Sequence, residues 1–131
     1  MFVDTSALVA IIVPESDGAL LAERLRGAHQ RYTSAIALYE AALALRRIGN
    51  AAIETVITVI DDFIKRSRIE TIPITAEVGR IAVEVFARFG RGNHPARLNL
   101  GDCFAYACAR SLGVPLLCKG DDFRQTDIDI A

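Results

Sequence analysis

The 131 residues are expected to make one domain, long enough to bury a core. At 52% hydrophobic and 24% charged, with no linker-like stretch, charge block or repeat, the composition excludes a disordered or fibrous chain. A formal net charge of −1 excludes coating of nucleic acid by bulk attraction, so contact with a polyanion must come from a local patch.

Phe2-Val3 is predicted as a short buried strand and Thr5 to Ile12 as a helix. The apolar run Ala7 to Val13 has no basic residue before it and is too short to span a bilayer. Neither a signal peptide nor a membrane span is expected, and the chain reads as cytoplasmic. Pro14 to Ala28 carries Leu20, Leu21 and Leu25 among charges, an amphipathic helix. Arg31 to Ser34 follows as a strand, and Ala35 to Ile48 as a helix apolar on nearly every side, stopped by Gly49-Asn50. Ile53, Val56, Ile57, Ile60 and Ile64 repeat the helical period from Ala51 to Lys65. Ile69 to Ile74 is a strand interrupted by Pro73, and Thr75 caps a helix reaching about Phe89. After a loop from Gly90 to Leu98 come a helix over Leu100 to Leu112, a strand over Val114 to Cys118, and an edge strand over Ile128 to Ile130. Short apolar strands alternating with helices predict an α/β fold, a parallel sheet with helices on both faces. In such sheets ligands bind beyond the carboxyl ends of the strands, where Asp4 and Asp121-Asp122 fall.

Acidic side chains stand at four joints of this pattern: Asp4, Glu40, Asp102 and the adjacent pair Asp121-Asp122. Asp4 can cap the helix at Thr5, although Ala7, three residues on, cannot return the bond of a capping box. Glu40 is the only charge between Ala35 and Leu45, and on so apolar a helix it must find a cation, a metal or water. A partner Arg would serve there as well as a metal. Asp102 lies in the first turn of a helix that Asn99 can cap, where the helix dipole favours an acid; the same carboxylate can face a crevice. Asp121-Asp122 follow Gly120 and can form a simple turn. Gathered together, these acids would make an oxygen-lined pocket suited to hard divalent cations and to phosphate-ester chemistry.

Basic residues are unevenly spread. No acid lies between Glu84 and Asp102, whereas Arg88, Arg91, His94 and Arg97 all do. A cationic loop beside an acidic pocket lets a polyanion approach a site that otherwise repels it. His94 alone suits a turn better than a metal site. Cys103, Cys108 and Cys118 are odd in number and form no C-x-x-C pair, which makes them reduced core residues. Signatures of the P-loop, the dinucleotide-binding turn, the serine hydrolase elbow and the zincin helix are absent.

At these residues the sequence resembles the PIN-domain family, specifically the VapC toxins of bacterial VapBC toxin–antitoxin pairs. The resemblance rests on Val3-Asp4-Thr5-Ser6-Ala7-Leu8, on the helix bearing Glu40, on the long stretch from Phe89 through Asp102 to Ala107, and on Leu116 to Phe123 with Thr126-Asp127-Ile128 after it. It implies a three-layer α/β/α PIN-like fold with a short, mainly parallel central sheet. It also implies magnesium- or manganese-dependent endoribonuclease activity, a cognate VapB antitoxin and a homodimer. Asp4, Glu40 and Asp102 match the family's metal-site acids; the fourth acid is Asp121 or Asp122, the latter matching a recurrent Asp-Phe pair with Phe123. In the mechanism so implied, Thr5 or Ser6 supports Asp4, while Arg91, Arg97 and Lys119 hold the RNA backbone.

A catalytically silent PIN-like module that binds RNA or a partner is the alternative, and loss of a pocket acid would favour it; none is missing. A magnesium-dependent phosphatase is a further alternative, but the Asp-x-Asp of an aspartyl-phosphate nucleophile is replaced by Asp4-Thr5-Ser6.

Overall fold

A computed structural model describes all residues, 1–131. Four parallel strands, β1 (Phe2–Val3), β2 (Tyr32–Ser34), β3 (Glu70–Ile72) and β4 (Leu116–Leu117), form one sheet in the order β3-β2-β1-β4. Six helices cover it: α1 (Thr5–Ile12), α2 (Gly18–Gly27), α3 (Ala35–Gly49), α4 (Ile53–Arg66), α5 (Ala76–Phe89) and α6 (Leu100–Leu112). Successive strand side chains point to opposite faces, and this alternation divides the core in two. Phe2 and Leu116 pack with α5 and α6, whereas Val3 and Leu117 pack with α1, α2, α3 and α4. Phe2, Leu8, Leu98, Leu116 and Leu117 are fully buried, each contributing roughly 1.5–3 kcal/mol of apolar burial. The architecture is the expected three-layer α/β/α arrangement.

Local chemistry explains where the elements begin and end. Ser34 and Thr75 cap α3 and α5 by accepting from the Ala37 and Val78 amides. Asn99 and Asp102 form a reciprocal capping box at α6. Asn50 ends α3 and Gly113 ends α6 in the left-handed region.

The elements differ from expectation mainly in length. α2 starts at Gly18 rather than Pro14, because the Glu15 amide first folds back onto the Ala10 carbonyl and makes a turn. The strand expected over Val114 to Cys118 narrows to Leu116–Leu117, since its partner β1 offers only two residues. The predicted edge strand near Ile130 is a single bridge to Leu116, and the strand around Pro73 ends at Ile72. No helix is long and apolar enough to cross a membrane.

β1, β2 and β3 step across the sheet in one direction, and β4 then returns to the other side of β1. The reversal leaves a crevice beyond the carboxyl ends of β1 and β4, the position at which open α/β sheets bind ligands.

Candidate active site

Asp4 is the residue immediately after β1, and its amide donates to the Leu117 carbonyl of β4. At 4% exposure it is the only Asp, Glu, Lys or Arg buried in the molecule. One oxygen is committed: Oδ2 accepts from the Ser6 amide at 3.0 Å and the Ser6 hydroxyl at 2.6 Å. Ser6 Oγ in turn accepts from the Lys119 amide at 2.9 Å, so a hydroxyl ties the end of β1 to the segment after β4. Asp4 therefore caps α1, as its position suggested, while keeping its other oxygen outside these bonds.

Glu40 reaches the same crevice from α3. Thr5 Oγ1 lies 3.1 Å from Glu40 Oε2 and 3.2 Å from the Ala37 carbonyl, and its single hydrogen serves one acceptor at a time. Asp102 arrives from the first turn of α6, where its Oδ2 accepts from the Asn99 amide at 2.8 Å. These three carboxylates line a crevice of about 440 Å³ together with Thr5, Ser6, Glu15, Arg47, Asn99 and Lys119.

Their electrostatics are those of crowded, desolvated acids. Burial raises Asp4 above the usual carboxylate range, and the Ser6 hydrogen bonds oppose the rise. Burial raises Glu40, the Thr5 hydroxyl opposes this, and the nearby Asp4 charge adds to it. Burial pushes Asp102 up to about 6 against the Asn99 amide, with the charges of Asp4, Asp122 and Glu40 adding to the rise. None of the three is paired with a Lys or Arg. No three His, Cys, Asp or Glu side chains stand close enough to form a ready-made ligand cluster. The donors are nonetheless all oxygen, which fits a hard cation that uses one or two carboxylates and keeps water and phosphate oxygens for the rest.

The remaining predicted residues divide. Gly120, at φ +92°, turns the chain after Lys119, and Asp121 and Asp122 are both exposed. Asp121 pairs with Arg124 at 3.1 Å, whereas Asp122 acts on the pocket through its charge on Asp102. Neither lines the crevice. Lys119 does, paired with Glu15 across the mouth. Arg91 and Arg97 lie outside it on the exposed loop before α6. Arg88 pairs with Asp127 at 2.8 Å, and His94 Nδ1 accepts from the Ala96 amide, which confirms its part in a turn. Arg47 was not anticipated, although Glu40, Ala44 and Arg47 follow the i, i+4, i+7 spacing of one helix face. Glu15 had no sequence signal, since its partner lies 104 residues away. All three cysteines are free and buried.

Comparison with known proteins places the fold in a family. The PIN-domain family model matches residues 1–129. Ribonuclease VapC42 of Mycobacterium tuberculosis is 39% identical over 130 residues, covering 98% of this chain and 96% of the relative. Among solved structures, M. tuberculosis VapC20, described as a sarcin–ricin-loop-cleaving toxin, superposes with a TM-score of 0.76 at 20% identity, covering 99% of this chain and 97% of that one. VapBC2 of Rickettsia felis, solved bound to a DNA fragment from its promoter, gives 0.75 at 17% identity, with 99% and 96% covered. The fold is that of a PIN domain. The chain belongs to the PIN-domain family and, within it, to the VapC ribonucleases.

Proposed function

We propose that this protein is the toxin of a type II toxin–antitoxin pair, an endoribonuclease that hydrolyses RNA phosphodiester bonds with magnesium or manganese. One observation carries the reading: Asp4, Glu40 and Asp102 are desolvated together in one crevice with no cationic partner. Unpaired carboxylates in such a place are costly, and a folded protein keeps them where a ligand supplies the missing positive charge. Asp4 and Asp102 would hold the cation, with Glu40 ligating or orienting water. When bound there, a divalent cation would lower the pKa of its attached water and offset charge on the phosphodiester.

The chain's own groups prepare the site. Ser6 fixes the Asp4 carboxylate, Thr5 restrains Glu40, and the capping box fixes Asp102 before any substrate arrives. Lys119 and Arg47 at the crevice, with Arg91 and Arg97 on the nearby loop, would take the RNA backbone, which positions the strand without reading its sequence. Asp122 supplies a fourth negative charge near the pocket.

A VapB-type antitoxin is the proposed partner, supported by family membership and by the fold shared with chains of VapBC complexes. An Arg of that partner would find a charge-assisted contact with the pocket acids. A homodimer is the proposed assembly, supported by an apolar groove between α5 and α6 that Val83, Phe86 and Leu100 line while 71%, 46% and 65% exposed.

The test is cleavage of RNA by purified, antitoxin-free protein. Cutting in magnesium or manganese, abolished by chelator and reduced at least 100-fold by Asp4→Asn, is expected. Expression in bacteria should arrest growth, and Asp4→Asn should not. Cleavage that survives chelator and is indifferent to Asp4→Asn overturns the mechanism.

A further inference from the structure

Gly101 has no backbone reason to be glycine. It is the second residue of α6, its φ is not positive, and in a helix alanine is favoured over glycine. Its surroundings supply a different reason. A Cβ built on Gly101 would fall within 3.0 Å of both Glu40 oxygens and of the carboxyl carbon, closer than real Cβ atoms come. The Glu40 carboxylate is therefore seated on the bare Cα of α6, next to Asp102, with the Thr5 hydroxyl 3.1 Å from Oε2.

We propose that Gly101 is a positioning residue whose missing side chain seats the Glu40 carboxylate beside Asp102. Glu40 is the far end of a flexible chain on α3, partly exposed, so it has room to swing out of the crevice when its seat is filled. Gly101 then decides whether a third carboxylate belongs to the pocket, and it does so without touching substrate or cation. The catalytic value of that seat rests on the ribonuclease reading above; the seat itself does not.

Four variants test this: Gly101→Ala, Glu40→Ala, the double variant, and Gly27→Ala as a control on α2, where an added Cβ meets nothing within 4 Å. Gly101→Ala should melt at or above wild type, since the helix gains alanine. Its crystal structure should show Glu40 displaced from α6. Its kcat on RNA should fall on the order of 100-fold with KM unchanged, the scale of a misplaced reacting group. The gain in melting temperature that manganese gives wild type should shrink to the value for Glu40→Ala. The double variant should cleave no worse than Glu40→Ala, and Gly27→Ala should match wild type. Glu40 found in its original place in Gly101→Ala overturns the proposal, as does a further loss of activity when Gly101→Ala is added to Glu40→Ala. Should wild type fail to cleave RNA, the ribonuclease reading fails, and the crystal structure of Gly101→Ala still decides the seat.

Discussion

Asp102 joins two roles in one side chain: it closes the capping box of α6 and faces the acidic crevice. Its pKa stands near 6 in the folded protein against an ordinary 3.8, because burial and neighbouring charges disfavour ionisation. A raised pKa means the folded state binds the proton more tightly, so this stabilising contribution is full below about pH 4 and is lost as pH rises through 6. With chelator present, Asp102→Asn should match wild type near pH 4 and exceed it above pH 6. The difference should be on the order of 1–2 kcal/mol once solvent screening of this partly exposed group is allowed for. Asn keeps the acceptor for the Asn99 amide, so the cap survives. Saturating manganese should then stabilise wild type more than the mutant. Thermal melting across this pH range checks both; a mutant less stable than wild type throughout would reduce Asp102 to a cap. At this scale Glu40 was legible as a lone charge on an apolar helix, whereas Asp4 and Asp102 also read as caps, which they are, and only their convergence on one crevice sets them apart. Asp121 and Asp122 could not be separated, because neighbours in one exposed turn carry no pattern that says which pairs with Arg124 and which lies nearer Asp102.

At the scale of elements, the segment after β4 is held by two devices. Phe123 is buried against α6, and Asp127 is clasped by the Tyr106 hydroxyl of α6 and by Arg88 of α5. Phe123→Ala should cost about 3–5 kcal/mol, the usual range for removing a buried aromatic ring. Tyr106→Phe should cost about 1 kcal/mol, one hydrogen bond, because Asp127 remains open to water. The Tyr106 bond, then Arg88, lowers the Asp127 pKa. That stability is present above the ordinary carboxylate value and is lost as pH falls through the lowered one. The gap between wild type and Tyr106→Phe should therefore close in acid, and denaturant melts at pH 7 and pH 2 check this. The helices were legible through period, caps and stops: Thr75, Asn99 and Gly49-Asn50 act as read. Strand lengths were not, because a strand extends only as far as its neighbour offers partners. The two-residue β1 shortened β4, although Val114 to Cys118 is apolar enough for a longer strand.

At the scale of the molecule, the surface sorts into an acidic crevice at one end of the sheet and an apolar groove between α5 and α6. The groove bears on assembly. Val83→Glu, placing a charge where the side chain is 71% exposed, should keep the melting temperature within a few degrees while converting a dimer to monomer. Sedimentation of both proteins decides it, and a wild type that is monomeric at high concentration ends the dimer proposal. The layered fold was legible from strand–helix alternation. The sheet order was not, since nothing local says that β4 returns to the far side of β1. That return is what puts Lys119 beside Ser6 across 113 positions of sequence.

That closure of Lys119 on Ser6 also has a meaning in time. A ribosome makes β1 long before its neighbour β4, which comes only at Leu116, and the Lys119 amide that steadies Ser6 comes later still. Asp102 and β4 both belong to the last third of the chain. Parallel pairing between such distant segments forms slowly, after the loop between them has been ordered. A growing chain therefore carries Asp4 and Glu40 without the crevice that joins them to Asp102. A chain cut short before α6 and β4 therefore holds two of the crevice's acids and none of the geometry that brings them to the third.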